Sequence, residues 1–326
     1  MAKKILVRFF RAIILMVAVS IVTFGLVELS PIDTVDAYVG ENGISEEKRQ
    51  QIEEYWGLNE PPVVRYVKWA GNITHGDMGT SMIYRQPVIK VIGEHFRLSL
   101  WLMITAWILS GVVGLLLGIL LAVYKDRPLG AGIRAYCLAL ESAPAFWVGM
   151  VLLLIFSVKL KWLPMGLASP VGVPAESASL AERLRHLILP AVTLGLTGVS
   201  KITLQTGEKF RQILESDYVL FARSRGESTA QIIQRHGLRN VLLPFVTLQF
   251  GAISELFGGS VLAETVFTYP GLGNVTVQSA LKGDIPLFIG IALFSALFVF
   301  GGNLIADILY VIIDPRIREE GVAHEN

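Results

Sequence analysis

The chain has 326 residues, of which 53% are hydrophobic and only 17% are charged, and its mean hydropathy is +0.57. A soluble domain of this size needs far more charge on its surface, so the composition indicates an integral membrane protein. The net charge of +1 excludes a broad electrostatic footprint for nucleic acid, and the single cysteine excludes an intrachain disulfide.

Six segments are apolar enough to cross a bilayer, which requires about 20 mostly apolar residues. The first follows a basic start but lacks a cleavage pattern, so we expect a retained helix rather than a signal peptide. The fourth is the weakest, because Lys201 interrupts it. The six predicted spans are 9–29, 98–123, 135–158, 187–207, 241–263 and 285–313.

Basic residues near the ends of the spans predict the orientation, since cytoplasmic segments carry an excess of lysine and arginine. Four basic residues lie before or at the start of the first span, the last of them Arg11, and six lie within 207–240. We therefore expect both termini, the loop "KDRPLGAGIR" at 125–134 and the 207–240 segment on the inside. The 159–186 loop has four basic residues and runs against this pattern.

The first outside segment, 30–97, is the only one with room for a folded piece beyond the membrane. Its stretch "SEEKRQQIEEYWGLNEPP" predicts a helix, because Ser45 is in the N-cap place, acids follow in the first turn, and Gly57 comes just past the end.

Small residues in the second span form a G-x-x-x-G pair at Gly114 and Gly118, a spacing that allows close approach of helix backbones in lipid. We favour helix packing inside this chain, with a dimer face as the alternative.

Polar side chains inside predicted spans are functional candidates, although hydrogen bonding between helices explains many of them. Gln249 and Glu255 are six residues apart, about 240° around a helix, so we do not expect both to line one stripe of a pathway. The possible pathway-lining residues are Glu141, Gln249, Glu255, Asn303 and Asp307.

A polar, basic insert interrupts the apolar pattern at 217–244, "DYVLFARSRGESTAQIIQRHGLRNVLLP". It predicts one helix ending near Arg225 with Gly226 as terminator, and a second capped by Ser228 or Thr229 and running toward His236. The first helix offers an apolar ridge ringed by arginines, which suits a cleft on another protein; the alternative is a loop that only fixes topology. The ridge residues are Tyr218, Leu220, Phe221 and Ala222.

The insert resembles the cytoplasmic loop of permease subunits of binding-protein-dependent ABC importers, in the dipeptide/oligopeptide/nickel branch. Gly226 and Ala222 match the glycine and second alanine of E-A-A-x-x-x-G, whereas Leu220 and Phe221 replace the glutamate and first alanine. The loop of this branch reads roughly D-Y-V-x-x-A-R-x-x-G and then R-N-x-x-L-P, and "LLP" ends here at Pro244. Further similar stretches, in order, are "HGDMGTS" at 75–81, "PAFWVG" at 144–149, "ETVFTYPGLG" at 264–273, "GDIP" at 283–286 and "DPRIR" at 314–318.

This resemblance implies an all-α type I ABC importer permease with six transmembrane helices, in the inner membrane of a bacterial or archaeal cell. It divides the chain into a first helix with an extracytoplasmic segment at 1–95, a permease core at 96–314 and a cytoplasmic tail at 315–326. The insert then becomes the coupling helix that docks on a separate ATPase subunit, with Ala222 kept small by the nearby ATPase surface. The implied coupling residues are Asp217, Tyr218, Ala222, Arg223, Arg225 and Gly226.

The resemblance also implies the partners: a homologous second permease, one or two ATP-binding subunits that use ATP and Mg, an extracytoplasmic substrate-binding protein, and lipid. Members of this branch carry short peptides, nickel or other metal chelates, or opine-like molecules, and of these we expect a di- or oligopeptide or a metal chelate. The sequence has no P-loop, H-E-x-x-H or G-x-S-x-G pattern, so we expect no cofactor, metal site or catalytic residue in this chain.

Two other classes fit parts of the sequence. An ion-gradient transporter would use Glu255 and Asp307 as proton sites, and an intramembrane hydrolase would use Ser200 with a histidine. Only the ABC permease needs an insert that docks on an ATPase.

Overall fold

The computed structural model describes residues 2–29, 34–39, 44–175 and 177–313 of the chain. In these ranges the backbone is largely helical, with no strand and a single isolated bridge between Thr80 and Pro87. The α-helices of this described part are α1 Ala2–Glu28, α2 Thr34–Val39, α3 Glu46–Trp56, α4 Pro62–Thr74, α5 Val88–Val123, α6 Pro128–Ser142, α7 Ala145–Leu153, α8 Leu180–Leu214, α9 Asp217–Ser224, α10 Thr229–Ile232, α11 Leu238–Gly251, α12 Ile253–Val266, α13 Leu272–Leu281 and α14 Ile285–Ile313.

Four stretches in the described part are long and apolar enough to cross a membrane: Phe10–Glu28, Val88–Val123, Leu180–Leu214 and Ile285–Ala306. Two bent helix pairs raise the number to six if each pair is one span. The predicted all-α membrane class is confirmed, and the six predicted spans correspond to these four helices and two bent pairs.

The third predicted span is not one straight helix. Pro128–Ser142 and Ala145–Lys159, the latter ending in a π-helical turn, meet at 107°. Proline disfavours helical backbone in the residue before it, and Ala143, directly before Pro144, is extended with φ −87° and ψ 133°. The expected loop at 125–134 is also helical from Pro128, because proline fits the first position of a helix.

The fifth predicted span begins earlier than expected. The second helix of the insert does not stop near His236 but continues through the π-helical turn Ile233–Gly237 into α11, so that Thr229–Gly251 is one helix. This helix then bends by 48° into α12.

The chain divides into two compact units, which we describe separately. The first unit comprises residues 1–99 and 270–300. In it, the Ser20 and Tyr66 hydroxyls lie 2.8 Å apart and join α1 to α4. The predicted helix after Ser45 is confirmed as α3, and Gly57 ends it in the left-handed region at φ +67°.

The second unit comprises residues 100–269 and 301–326. Its helix α8 packs against α6, α7, α11 and α12, and also against the part of α5 that lies in this unit. Both glycines of the G-x-x-x-G pair face α8: a Cβ on Gly114 would lie 2.8 Å from Ile202, and one on Gly118 would lie 2.2 Å from the Thr206 hydroxyl. The pair therefore packs inside this chain, as we favoured, and is not free to form a dimer face.

Candidate functional site

Helix α9 ends in a glycine-terminated motif. The Gly226 amide donates to the Arg223 carbonyl at 2.9 Å, and the Glu227 amide donates to the Ala222 carbonyl at 3.2 Å. Together with φ +83° at Gly226, these two bonds form the Schellman arrangement, which glycine adopts at little cost. The prediction that Gly226 terminates this helix is confirmed.

The following helix, α10, begins at Thr229, three residues after Gly226. The Ser228 hydroxyl accepts from the Gln231 amide at 3.4 Å, and the Gln231 side-chain oxygen accepts from the Ser228 amide at 2.8 Å. This reciprocal pair is a capping box, so Ser228 rather than Thr229 is the cap. Because both helix ends have their backbone groups bonded, the link between α9 and α10 is short and defined.

One face of α9 is buried against the rest of the second unit. Val219 and Ala222 are buried in a cluster with Phe210 of α8, Ile232 of α10 and Val241 of α11. The small size of Ala222 is therefore required by packing within the chain. The structure places Ala222 in this cluster rather than at a partner surface, contrary to the expectation from the resemblance.

The opposite face of α9 is an exposed apolar ridge. Tyr218, Leu220 and Phe221 are 46%, 52% and 65% exposed. Arg223 and Arg225 are also exposed, and the Arg225 guanidinium lies 5.9 Å from the centre of the Phe221 ring. We call these five residues the α9 ridge. A large apolar surface edged by cations is typical of an interface.

Charged residues surround the start of α9. Asp217 lies in its first turn, where a negative charge complements the helix dipole. Just before the helix, the Lys125 ammonium lies 2.5 Å from the Glu215 carboxylate, and Arg211 lies 3.0 Å from it. The hydrogen bond from Lys125 lowers the pKa of the Glu215 carboxyl, so the pair is charged at neutral pH.

A cavity of about 340 Å³ opens among helices of the second unit. On its wall the Lys201 ammonium of α8 contacts both carboxylate oxygens of Glu255 of α12, at 2.6 and 2.8 Å. Its lining is mostly small or apolar: Ser110, Ala145, Leu194, Thr197, Gly198, Lys201, Ile202, Gln205, Thr247, Leu248, Gly251, Ala252, Glu255, Leu256 and Gly259.

Polar side chains continue from this cavity along one face of α8. Residues spaced by three or four positions share a helix face, and Thr197, Lys201, Gln205, Glu208 and Gln212 follow this spacing. A second cavity of about 570 Å³ lies beside the last three. The two cavities share Gln205, Thr247 and Leu248, so we treat them as one polar groove.

Among the pathway residues proposed from sequence, Glu255 lies in the polar groove. Gln249 instead ties α11 to α5: its amide donates to the Trp107 carbonyl at 2.5 Å, while the Trp107 indole donates to the Gln249 carbonyl at 2.8 Å. It lines a different cavity from Glu255, in agreement with their angular separation. A Cβ on Gly111 would lie 2.8 Å from the Gln249 amide, so glycine makes room for this contact.

The other candidates are scattered. Asn303 accepts a hydrogen bond from Ser254 at 2.7 Å, Glu141 is exposed in the last turn of α6, and the side chain of Asp307 lies outside the described residues. Sequence reasoning missed the polar stripe of α8, because Lys201 was considered only as an interruption of a span. The helical spacing of the polar residues from 197 to 212 was the signal that could have revealed it.

Two of the motifs quoted above, "HGDMGTS" at 75–81 and "GDIP" at 283–286, meet in the first unit. Asp284, from "GDIP", is fully buried and accepts hydrogen bonds from the Ser81 hydroxyl at 2.6 Å and the Ile83 amide at 3.0 Å. It also accepts from the Leu287 amide at 3.3 Å, in the first turn of α14. Burial of Tyr84 and the charge of Asp284 raise the pKa of the Tyr84 hydroxyl. The two motifs thus form one buried structural site.

Comparisons with known proteins agree with this arrangement. Residues 114–319 match the binding-protein-dependent transport system inner membrane component family, and residues 1–102 match the N-terminal part described for such components. The oligopeptide transport system permease protein AppB of Bacillus subtilis is 36% identical over 98% of this chain and 100% of its own length. The glutathione transport system permease protein GsiC of Salmonella paratyphi A is 36% identical over 98% of this chain and 99% of its own.

A solved structure shows the same fold. The inward-facing MetNI methionine ABC transporter aligns with a TM-score of 0.55 and 16% identity, over 69% of this chain and 97% of the other.

The family match and the relatives both define a transport component. The chain belongs to the family of binding-protein-dependent transport system inner membrane components, and is thus a multi-pass inner membrane permease subunit of an ABC importer. The ion-gradient and hydrolase alternatives are therefore wrong. Ser200 is buried, and its hydroxyl donates to the Leu196 carbonyl of its own helix at 3.2 Å.

Proposed function

We propose that this chain forms one half of the translocation pathway of an ATP-driven importer and couples to the ATPase through the α9 ridge. The other half is a homologous second permease. One or two ATP-binding subunits hydrolyse ATP with Mg on the cytoplasmic side, and an extracytoplasmic substrate-binding protein delivers the cargo. This chain contributes no catalytic residue and binds no cofactor of its own. Both termini lie in the cytoplasm.

The observation that carries this proposal is the pairing of a rigid frame with an exposed ridge on α9. The inner face is fixed by Val219 and Ala222, and the end of the helix is fixed at Gly226. A side chain such as Phe221 is 65% exposed on this frame, outside the apolar spans. Holding apolar side chains in water is unfavourable unless a partner covers them, so a pre-ordered ridge fits a groove on another subunit.

Peptides are the proposed cargo. The two relatives described above are named for oligopeptides and for glutathione, which is itself a tripeptide. Full-length identity of 36% in both cases supports the same class of cargo here.

We also retain the division of the chain into 1–95, 96–314 and 315–326 as a proposal. The two family matches, at 1–102 and 114–319, support a change of role close to residue 100.

Replacement of Phe221 by aspartate tests the docking of α9. The side chain is exposed, so the variant is expected to fold and insert normally, whereas a charge in the docking groove is expected to release the ATPase. A matched control is Val171→Asp, because Val171 is 89% exposed in the loop between α7 and α8. The measurements are co-purification of the ATPase and peptide uptake at equal membrane abundance. Retention of both in Phe221→Asp would show that α9 is only a topological loop.

A further inference from the structure

Two opposite charges lie deep within the apolar zone of α8 and α12. Apart from Lys201, the stretch of α8 between His186 and Glu208 carries no charge. At 1.5 Å of rise per residue, Lys201 lies about 10 Å from Glu208 and about 22 Å from His186 along the helix. The whole interval of about 33 Å is comparable with the hydrocarbon thickness of a bilayer. Lys201 and its partner Glu255 are therefore within the membrane.

This ion pair is not hidden inside the chain. The Lys201 side chain is 44% exposed and that of Glu255 is 63% exposed. Charged side chains at this depth face water-filled space or other protein rather than lipid, because hydrocarbon solvates them poorly. The polar neighbours along α8, Gln205 and Glu208, extend the same face toward the α9 end of the helix. The pair therefore faces aqueous space or another protein, and in this chain it lies on the wall of the polar groove.

The cavity beside the pair has the form of a small-ligand site. Such sites combine apolar walls with a few converging polar groups and measure roughly 300 to 1,000 Å³. Here the volume is about 340 Å³, at the small end of that range. Three of the lining residues are glycines, Gly198, Gly251 and Gly259, and leucines and an isoleucine supply apolar walls. The space suits a short peptide, and apart from Lys201 and Glu255 its lining carries no charge that would select the peptide's side chains.

We propose that Lys201 and Glu255 form a transient binding site for the charged ends of the peptide, with Lys201 taking the α-carboxylate and Glu255 the α-ammonium. This inference rests on the proposed function, since it assumes a peptide cargo. Every unmodified peptide carries both end charges, so recognition of the ends accepts many sequences.

Exchange of partners keeps all charges paired. Before the peptide enters, Lys201 and Glu255 neutralise each other at 2.6 Å. When the peptide binds, Lys201 exchanges the Glu255 carboxylate for the peptide carboxylate. Glu255 likewise exchanges the Lys201 ammonium for the peptide ammonium. Because the bound peptide is again released to water along the groove, the site needs only modest affinity. Gln205 and Thr247, shared by the two cavities, mark the onward route.

The test compares neutral single and double variants in the complete importer, reconstituted in proteoliposomes with its binding protein. The variants are Lys201→Met, Glu255→Gln and the two together, and the probes are radiolabelled dialanine and trialanine. Each single variant leaves one unpaired charge and is expected to lose uptake whether the pair binds the peptide or only ties α8 to α12. The double variant has no unpaired charge, and the proposal predicts that its uptake remains about 10-fold or more below wild type, the loss expected for a charge-assisted contact.

A matched control is Lys68→Met with Glu60→Gln, which neutralises another exposed lysine–glutamate pair, one that lies outside the groove. It is expected to retain wild-type uptake. ATP hydrolysis stimulated by the loaded binding protein is measured in parallel and is expected to persist in the double groove variant.

Recovery of wild-type uptake in the double groove variant would overturn the proposal, because it would show that the pair merely ties α8 to α12. Loss of the ATPase subunits from that variant would also overturn it, because the pair would then be needed for assembly. Failure of the wild-type importer to take up either peptide would instead contradict the proposed function itself.

Discussion

Substitution of Gly118 by alanine tests the close packing of α5 on α8. The added Cβ would lie 2.2 Å from the Thr206 hydroxyl and 3.2 Å from both the Gly207 amide nitrogen and the Thr203 carbonyl oxygen. The Thr206 hydroxyl is buried and donates to the Ile202 carbonyl at 2.5 Å, so it cannot turn away without losing that bond. Overpacking of this kind costs about 1–3 kcal/mol.

A control in the same helix isolates this cost. A Cβ added to Gly93 of α5 would have no atom within 4 Å, so Gly93→Ala meets no obstacle. Both substitutions gain about 0.5–1 kcal/mol from the better helix propensity of alanine. Because this gain is common to both, the difference in stability between the two variants reports the clash alone, about 1–3 kcal/mol.

The assay is thermal unfolding of the purified importer in detergent at one fixed heating rate. We expect a lower midpoint for Gly118→Ala and an unchanged or higher midpoint for Gly93→Ala. Adding Thr206→Ala to Gly118→Ala removes the nearest atom and should restore part of the loss. Equal midpoints for the two single variants would refute the close contact between α5 and α8.

Three further predictions concern the turn after α9, the buried Asp284 and the orientation of the chain. Gly226→Val is expected to strain the end of α9 by about 1–3 kcal/mol, because valine disfavours the φ of +83° found there, although nothing lies within 4 Å of the added Cβ. This strain should weaken co-purification of the ATPase, and unchanged co-purification would contradict a role for the turn. Asp284→Ala leaves three donors without their acceptor and should lower the unfolding midpoint by the equivalent of about 3 kcal/mol or more. Ser81→Ala removes only one of these donors and should cost less, so equal losses would contradict the shared site. A reporter active only outside the cytoplasm should be active when fused after Glu60 and silent when fused after Glu227, and the reverse pattern would invert the proposed orientation.

The sequence predicted the elements whose signals are local. Gly57 and Gly226 end helices because a glycine can adopt the left-handed backbone that follows a helix, and the neighbours of each glycine were enough to predict this. The six apolar segments were likewise readable from composition. The bend at Ala143 was readable too, since Pro144 follows it, but a search for 20 apolar residues in a row ignores such breaks.

Long-range placement was harder to predict. The burial of Ala222 depends on Phe210 and Val241, which approach it only when α8 and α11 have packed. Gln249 and Glu255 look equivalent in sequence, yet one bridges to Trp107 and the other to Lys201. The partner of a polar residue inside a membrane is chosen by tertiary structure, and no local pattern encodes it.

The continuity of Thr229–Gly251 has a mechanical consequence. Thr247, on the wall of the polar groove, lies about 27 Å from Thr229 along this single helix. Only a short link that includes Gly226 and Glu227 separates that helix from the end of α9, and both sides of the link are tied by hydrogen bonds. A displacement of α9 would therefore act on one continuous helix, which ends at the 48° bend into α12. The helix that follows the proposed docking surface on α9 is thus the same helix that forms part of the groove wall at Thr247.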